Sequence, residues 1–351
     1  MELNEGKLNE LLGKVVTEMG AAANGPLITI GDKLGLYKTL SESGSLSSQQ
    51  LADATNTAER YIREWASAQA ASGYINYDTN NNTFSMTPEQ TAVFGNAKSP
   101  VFMTGAFYAI SSLYFDESKI ENAFKTGEGV SWGDHNSCLF CGTEKFFSPS
   151  YEGNLINSWL PALDGVVEKL QKGAKVADIG CGYGASTIIM AKAYPNSTFI
   201  GYDFHDKSIE QAIQRTKEAS VTNISFEVAT AKNFPGNNYD FIALFDCLHD
   251  MGDPVGACAH IKEVLKPDGT CMIVEPFAKD SLAENLNPVG RAFYAFSTML
   301  CVPCSLNQEV GKALGAQAGE KRLIEAITSG GFTKVRRATE TPFNLILEAK
   351  I

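Results

Sequence analysis

The 351-residue sequence has little of what marks several large protein classes. Lysine and arginine together number 29 against 40 aspartates and glutamates, and the formal net charge is −11. Because phosphate backbones are bound by clustered basic residues, this balance argues against nucleic acid as the main partner. No run approaches the ~18 apolar residues of a membrane span. The polar start, MELNEGKLNELLGK, is not typical of a signal peptide. We therefore expect a cytoplasmic protein without a membrane partner.

Internal repeats and low-complexity segments are absent, and the cysteines favour no disulfide framework. There are eight of them, and without a secretion signal we expect free thiols in a reducing compartment. Two C-x-x-C pairs, Cys138/Cys141 and Cys301/Cys304, form the pattern of a four-thiolate zinc site. The pairs lie far apart in the chain, and buried small thiols are the simpler explanation. We predict no metal.

The most informative stretch is 175–203, which reads KVADIGCGYGASTIIMAKAYPNSTFIGYD. An apolar strand through Asp178 runs into a turn with Gly180, Gly182 and Gly184, and a helical pattern follows. A second strand ends at Asp203, where a carboxylate can accept hydrogen bonds from a ribose diol. Strand, glycine turn, helix and strand ending in an acid predict a nucleotide-binding βαβ unit.

The glycine spacing is not that of the dinucleotide motif G-x-G-x-x-G. The pattern D-x-G-x-G-x-G resembles motif I of class I S-adenosylmethionine (SAM) methyltransferases instead. SAM lacks a phosphate, so the resemblance implies that this turn packs on the methionine part of a cationic sulfonium. A purely structural turn in another α/β protein is the alternative interpretation.

The remaining pattern predicts three regions. Residues 1–98 show three or four helices followed by a hairpin around 78–82, which is the winged-helix order. An apolar face on the helix of residues 1–24 suggests that a second copy of the chain covers it, so we expect a homodimer through this region. The only arginines on the helix predicted from residue 57 are Arg60 and Arg63, so a dimerisation and lid module is favoured over a DNA-binding one.

Residues 99–165 are rich in aromatics and glycines, and we interpret them as a helical connector that roofs an active site. The segment around Trp132 and His135, together with Tyr151, gives candidates for contact with the substrate or the sulfonium, since aromatic faces attract cations. Core aromatics and a surface histidine are the alternative.

Residues 166–351 predict a Rossmann-like, mostly parallel sheet that ends in an antiparallel hairpin over 332–339 and 343–350. Ligands of such sheets bind beyond the carboxyl ends of the strands. The predicted cofactor-binding residues are therefore those at the strand ends: Asp178, Gly180, Gly182, Gly184, Asp203, Phe204, Thr230, Ala231, Phe245 and Asp246.

The phrases DIGCGYG, GYD, YDFIALFDCLHDMGDP and LKPDG together resemble a class I SAM-dependent methyltransferase with an N-terminal winged-helix domain. The layout is similar to plant small-molecule O-methyltransferases. That resemblance implies a general base at His249, with Glu275 orienting it. LFDCLHD and SLNQEVGKALGAQAGE resemble more closely an uncharacterised bacterial group with mycobacterial members, which leaves the substrate open.

Two departures from that pattern stand out. An adenine-binding Asp is common after the third strand, where this chain has Thr230, and a second orienting Glu has no clear match, Glu320 being nearest. The expected activity is methyl transfer from SAM to a small-molecule acceptor, most simply O-methylation with His249 as base. An N- or S-methyltransferase that needs no base, with thiol or arsenical acceptors included, stays open. So does a non-catalytic SAM-responsive winged-helix regulator.

Overall fold

A computed structural model describes residues 3–351, which divide into two compact units. The first unit contains the chain up to Tyr114 together with Ser137–Ser150. The second contains Phe115–Asn136 and Tyr151–Ile351. Residues of the predicted connector, 99–165, therefore belong to both units.

The first half of the chain is mainly helical and carries one small hairpin. Its elements are α1 (Glu5–Lys33), α2 (Leu36–Ser43), α3 (Ser48–Thr55), α4 (Glu59–Ala71), β1 (Asn76–Asp78), β2 (Thr83–Ser85), α5 (Pro88–Gln90), α6 (Thr104–Phe115), α7 (Glu117–Thr126), α8 (Cys138–Asn154) and α9 (Val166–Lys172). The predicted hairpin is present, since β1 pairs antiparallel with β2. A capping box begins α5, with Thr87 and Gln90 as its partners.

The N-terminal helix is longer than the predicted helix of residues 1–24. The structure has one helix, α1, with Pro26 inside it. Tertiary packing explains why the chain continues through a residue that removes a helical hydrogen bond. Trp65 Nε1 donates to the Leu27 carbonyl at 2.9 Å, and a Cβ on Gly31 would lie 2.6 Å from the Trp65 ring. This close contact holds the turn after the proline in place.

The second half of the chain alternates strands and helices. Its elements are β3 (Lys175–Ile179), α10 (Ala185–Ala193), β4 (Thr198–Asp203), α11 (Asp206–Ala219), β5 (Ile224–Val228), β6 (Tyr239–Phe245), α12 (Pro254–Val264), β7 (Leu265–Pro276), α13 (Pro288–Phe296), α14 (Val302–Leu306), α15 (Gly319–Ser329), β8 (Lys334–Glu340) and β9 (Asn344–Lys350). A π-helical turn, Ser297–Cys301, joins α13 to α14.

The seven strands of this half form one sheet in the order β5-β4-β3-β6-β7-β9-β8. Neighbours from β5 to β7 are parallel, and β9 pairs antiparallel with both β7 and β8. The predicted mostly parallel sheet with an antiparallel C-terminal hairpin is confirmed. From the neighbouring strands β3 and β6 the sheet continues in opposite directions, to β4 and β5 on one side and to β7 on the other. Ligands of doubly wound sheets bind at such a point.

The LKPDG phrase, whose Pro-Asp-Gly is typical of a turn, lies inside a strand. Leu265 pairs with Tyr239 and Thr270 pairs with Phe241, so the residues between Leu265 and Thr270 bulge out of the ladder opposite a single residue. Pro-Asp-Gly does bend the chain, but it does so as a bulge within β7 rather than as a loop before that strand.

Among residues 3–351, a single helical run passes a length and composition test for a membrane span. This run is Pro288–Leu306, which has 19 residues, and 39% of the tested window is buried. Cys301, Cys304 and Ser305 on this run are buried within the second unit. Core helices of soluble proteins meet the same test.

Candidate functional site

The turn after β3 uses its three glycines in different ways. Gly180, Gly182 and Gly184 have positive φ values of 71°, 53° and 76°. A Cβ on Gly184 would lie 2.5 Å from the Phe226 ring, and one on Gly180 would lie 2.8 Å from Cys247 Sγ. A Cβ on Gly182 would meet nothing within 4 Å. Two of these glycines are therefore required by packing, and Gly182 faces open space that a ligand can fill.

Asp203, at the end of β4, closes this turn from the other side. Its Oδ2 accepts from the Gly182 N–H and its Oδ1 from the His205 N–H, both at 2.9 Å. Burial raises the pKa of Asp203, and these backbone hydrogen bonds oppose the rise. Because each carboxylate oxygen has a further lone pair, Asp203 retains capacity for ligand hydroxyls.

Asp178, near the end of β3, is buried and incompletely satisfied. Oδ2 accepts from Ser186 Oγ at 2.7 Å and from Thr187 Oγ1 at 2.6 Å. Oδ1 has no hydrogen-bond partner among the described residues. Burial raises the pKa of this carboxyl to about 6. A buried acceptor without a partner is costly, so a cationic or donor group of a ligand would fit beside it.

The end of β6 carries a second buried acid with partners from distant segments. Asp246 has a φ of 51°, and burial raises its pKa to about 7. Its Oδ2 accepts from the Tyr151 hydroxyl at 2.9 Å and its Oδ1 from the Asn344 amide at 2.9 Å. The Tyr151 ring also lies 5.2 Å from that of Phe245. The structure thus brings three predicted residues, Tyr151, Phe245 and Asp246, into one cluster.

His249 follows β6 in a 3₁₀ turn and is almost fully buried. Its Nδ1 lies 2.6 Å from Glu275 Oε2, at the end of β7, and Glu275 Oε1 accepts from the Leu248 N–H at 2.8 Å. Its Nε2 lies 3.3 Å from Cys301 Sγ. Burial alone would lower the pKa of His249, but the negative charge of Glu275 and the contact with Cys301 outweigh it and hold the pKa well above its ordinary value. The predicted pair of His249 and Glu275 is thus in direct contact.

A second carboxylate–histidine pair lies at Asp116 and His135. His135 Nδ1 lies 3.1 Å from Asp116 Oδ2, and its Nε2 lies 3.6 Å from Cys304 Sγ. Burial lowers the pKa of His135 despite the nearby carboxylate. Lys119 Nζ also lies 2.6 Å from Asp116 Oδ1 and partly neutralises the negative charge of that carboxylate. His135 is buried, so the alternative of a surface histidine is wrong.

Other predicted residues stand at the edges of this region. Phe204 is half exposed. Thr230 is exposed, and its hydroxyl donates to Asn233 Oδ1 at 2.8 Å. Ala231 is partly buried just after it. Glu320, the nearest match for a second orienting acid, pairs with Arg337, with Oε1 and Nε 3.2 Å apart.

Negative charge dominates the carboxyl edge of the sheet. Asp178, Asp203, Asp246 and Asp250 all have pKa values raised by burial, to about 7 for Asp250. The carboxyl groups of these acids raise one another's pKa, as Glu275 does for Asp246. A cationic ligand would relieve this repulsion, so the charge of the site suits a sulfonium and an ammonium group.

The cysteines form no metal centre in the part of the chain that the structure describes. Within residues 3–351, no three His, Cys, Asp or Glu side chains are placed to share a metal ion. Cys301 and Cys304 are buried, whereas Cys138 and Cys141 are exposed.

Sequence reasoning missed three partners of the predicted residues, namely Asp116, Asn344 and Cys301. Each lies far along the chain from the residue it contacts. Only Cys301 carried a signal, as half of a C-x-x-C pair in an apolar helix, and that pattern pointed to a metal or to packing rather than to a histidine.

Comparison with known proteins matches two regions of the chain to family models. Residues 170–319 match a model described as methyltransferase domain, and residues 22–95 match the Rv2258c-like winged HTH domain. Among curated proteins, demethylmenaquinone methyltransferase of Geobacillus sp. is 29% identical over 109 residues, which is 30% of this chain and 47% of that protein. The chain thus spans about half the length of the curated relatives it matches.

Solved structures match over nearly the whole chain. Human N-acetylserotonin methyltransferase in complex with SAM has a TM-score of 0.70 at 18% identity, covering 100% of this chain and 99% of that one. An O-methyltransferase family protein from Burkholderia thailandensis has a TM-score of 0.68 at 14% identity, covering 97% and 98%. At these identities the likeness establishes the fold.

Proposed function

We propose that this chain, a class I SAM-dependent methyltransferase with an N-terminal winged helix-turn-helix domain, methylates a hydroxyl group of a small molecule. The resident cosubstrate is SAM, which supplies a methyl group on a sulfonium sulfur that needs no further activation. The protein's task is then to hold donor and acceptor in line and to remove the acceptor's proton.

The residues at the carboxyl edge fit SAM by charge and by space. Gly182 leaves room beside the turn. Asp203 keeps acceptor capacity for the ribose hydroxyls, because the structure uses one hydrogen bond on each of its oxygens. The unpartnered Oδ1 of Asp178 would accept from the ammonium of the methionine part.

His249 would act as the general base. Glu275 occupies Nδ1 and so leaves Nε2 as the nitrogen that exchanges a proton. The acceptor hydroxyl would replace the Cys301 thiol at Nε2 and pass its proton there as the oxygen takes the methyl group. Glu275 stabilises the imidazolium that results.

The Glu275–His249 contact at the strand ends carries this proposal. The test is His249→Ala, assayed with SAM and a metabolite extract by the mass gain of one methyl group. We expect turnover to fall by ~10²–10⁴-fold while SAM affinity in calorimetry stays near wild type.

His260→Gln is the matched control, since His260 Nε2 contacts only a backbone carbonyl in the structure, that of Phe234 at 2.9 Å. It should keep wild-type turnover. Full activity in His249→Ala would remove the base and leave an N- or S-methyltransferase, whose acceptor is already nucleophilic, as the function.

We also propose that the chain is a homodimer through α1. The support is a set of solvent-exposed apolar side chains on the first part of this helix and just before it. The exposed residues are Leu3, Leu8, Leu11, Leu12, Val15, Val16 and Met19.

The winged helix-turn-helix unit raises DNA binding as the rival function, and we propose a small-molecule acceptor instead. On α4, Arg63 pairs with Glu59 and Arg60 pairs with Glu64, each at 2.6 Å. Paired arginines offer little charge to phosphates. A gel shift with genomic fragments at low salt that gives a saturable, SAM-dependent complex would favour the regulator.

A further inference from the structure

Both ring nitrogens of His249 are engaged, and together they complete a relay. Glu275 Oε2 lies 2.6 Å from Nδ1, and Cys301 Sγ lies 3.3 Å from Nε2. Orienting carboxylate, imidazole and thiol in that order is the arrangement that activates a nucleophile. In hydroxyl methylation the acceptor displaces the Cys301 thiol from His249, so the proposed function gives this thiol no chemical role.

A second cluster of the same residue types, which uses Cys304 of the same helical run, serves as a comparison. Asp116, His135 and Cys304 repeat the residue types, but the two contacts are longer, at 3.1 and 3.6 Å. Burial lowers the pKa of His135 and raises that of Cys304 well above its ordinary value, so imidazole and thiol both stay neutral. His249 differs, because its pKa is raised by Glu275 and it readily holds a proton taken from sulfur.

A residue next to the first relay in sequence packs against the glycine turn. Cys247, two residues before His249, has its Sγ 3.3 Å from the Ile179 carbonyl, and it is the atom that a Cβ on Gly180 would strike. Cys301 is the last residue of the π-helical turn Ser297–Cys301. Such turns interrupt the regular helix and are frequent at functional sites.

From this geometry we propose that Cys301 is a nucleophilic thiol that takes the methyl group of SAM when no other acceptor is bound. The inference rests on SAM as the cosubstrate of the proposed function. The proposal adds a site of covalent modification within the chain itself, at Cys301 and not at Cys304.

The step balances without any oxidant or further reagent. The Cys301 thiol gives its proton to His249 Nε2, and its sulfur forms a bond to the methyl carbon. The bond between that carbon and the sulfonium sulfur breaks, and its electron pair stays on the departing sulfur. The products are S-methylcysteine at position 301, an imidazolium at His249 and neutral S-adenosylhomocysteine.

The modification would limit itself to one event per chain. A thioether has no proton to give, and its added methyl group must be accommodated in a buried site next to His249. We therefore expect one methyl group per protein molecule and no further turnover.

The test incubates the full-length protein with SAM carrying a deuterated methyl group, in the absence of an acceptor. Intact-mass and peptide mass spectrometry should find one labelled methyl group, on Cys301. Cys304→Ser, three residues along the same run, should keep the label, and Cys301→Ser should lose it. His249→Asn should slow labelling by ~10²–10⁴-fold, since it removes the base.

A second measurement uses no SAM. Iodoacetamide should alkylate Cys301 faster than Cys304, and His249→Asn should remove the difference. Alkylation of Cys301 that is no faster than that of Cys304 would overturn the proposal.

Calorimetry separates this proposal from the proposed function. SAM binding without any methyl group on Cys301, or with the label on another cysteine, sinks the self-methylation alone. No SAM binding at all would instead refute the proposed function.

Discussion

Asp178 shows how a single buried side chain can link stability to ligand binding. Its carboxyl group is fully buried, and one oxygen has no partner among the described residues. A group left in that state destabilises the ligand-free protein and stabilises the complex that satisfies it. Asp178 should therefore lower the stability of the ligand-free protein where it is ionised, and raise the affinity for SAM.

Asp178→Asn tests this. The folded-state pKa of Asp178, about 6, lies above the ordinary value of 3.8, so the folded protein binds more protons than the unfolded chain between these values. Stability therefore falls as pH rises from about 4 to 6, by at most ~3 kcal/mol for a shift of this size. We expect the variant to lose that part of the slope in denaturant unfolding at a series of pH values.

The variant should also bind SAM more weakly at pH 7.5 in calorimetry. Wild-type and variant unfolding curves that keep a constant separation between pH 4 and 6 would show that Asp178 is ionised throughout.

In the proposed mechanism, Glu275 sets the pH above which His249 can accept a proton. Its negative charge favours the imidazolium, so the base form of His249 becomes available only above the ordinary histidine pKa of about 6.5. We expect the acid limb of kcat/KM against pH to lie above that value. Glu275→Gln removes the charge, and the limb should move to lower pH by about one unit or more.

Glu275→Asp serves as the conservative control, since it keeps the charge and should keep the limb near its wild-type position. A limb that does not move in Glu275→Gln would mean that a group other than His249 sets it.

At the scale of elements, the turn between β3 and α10 has five residues, and we propose that its glycines divide between packing and cofactor binding. Gly184 is required because the Phe226 ring occupies the place of its Cβ, and Gly182 is not constrained by any protein atom within 4 Å. Sequence spacing alone treats these glycines as equivalent.

Substitution by alanine should separate the two roles. Gly182→Ala introduces backbone strain of about 1–2 kcal/mol and places a methyl group where the ligand would lie, so SAM affinity should fall at least about tenfold. Gly184→Ala adds a clash with Phe226 and should destabilise the fold by a further ~1–3 kcal/mol. Thermal unfolding and calorimetry measure the two effects.

Gly165→Ala is the control for backbone strain. Gly165 has a φ of 74°, nothing lies within 4 Å of its added Cβ, and it caps α9 rather than the glycine turn. It should lose stability as Gly182→Ala does and keep wild-type SAM affinity. Equal affinity in all three variants would place the cofactor elsewhere.

At the scale of the whole molecule, the proposed homodimer depends on α1. Val16 and Leu12 are exposed on the apolar side of this helix, by 65% and 51%. Leu12→Glu combined with Val16→Glu should weaken association by about 100-fold or more, because each apolar side chain contributes ~1.5–3 kcal/mol when buried. Light scattering after size-exclusion chromatography gives the mass.

Thr17→Glu adds a charge on the opposite side of the same helix and should leave the dimer intact. A wild-type protein that is monomeric at micromolar concentration would contradict the dimer itself.

The sequence by itself determined the order of the elements and the fold class. Helix α11 and strand β6 follow from local signals, namely apolar periodicity and capping residues. The sequence could place Asp178, Asp203 and His249 at one edge of the sheet for a related reason. Parallel strands bring their carboxyl ends to one edge, so position along the chain predicts proximity in the fold.

Only the tertiary structure decided which side chains touch. The continuity of α1 through Pro26 depends on Trp65, and the contacts of His249 with Cys301 and of Tyr151 with Asp246 join residues far apart in the chain. Such contacts depend on how helices pack over the sheet, and packing involves side-chain shapes that no local pattern records. For that reason the sequence predicts the base, while the structure reveals the thiol beside it.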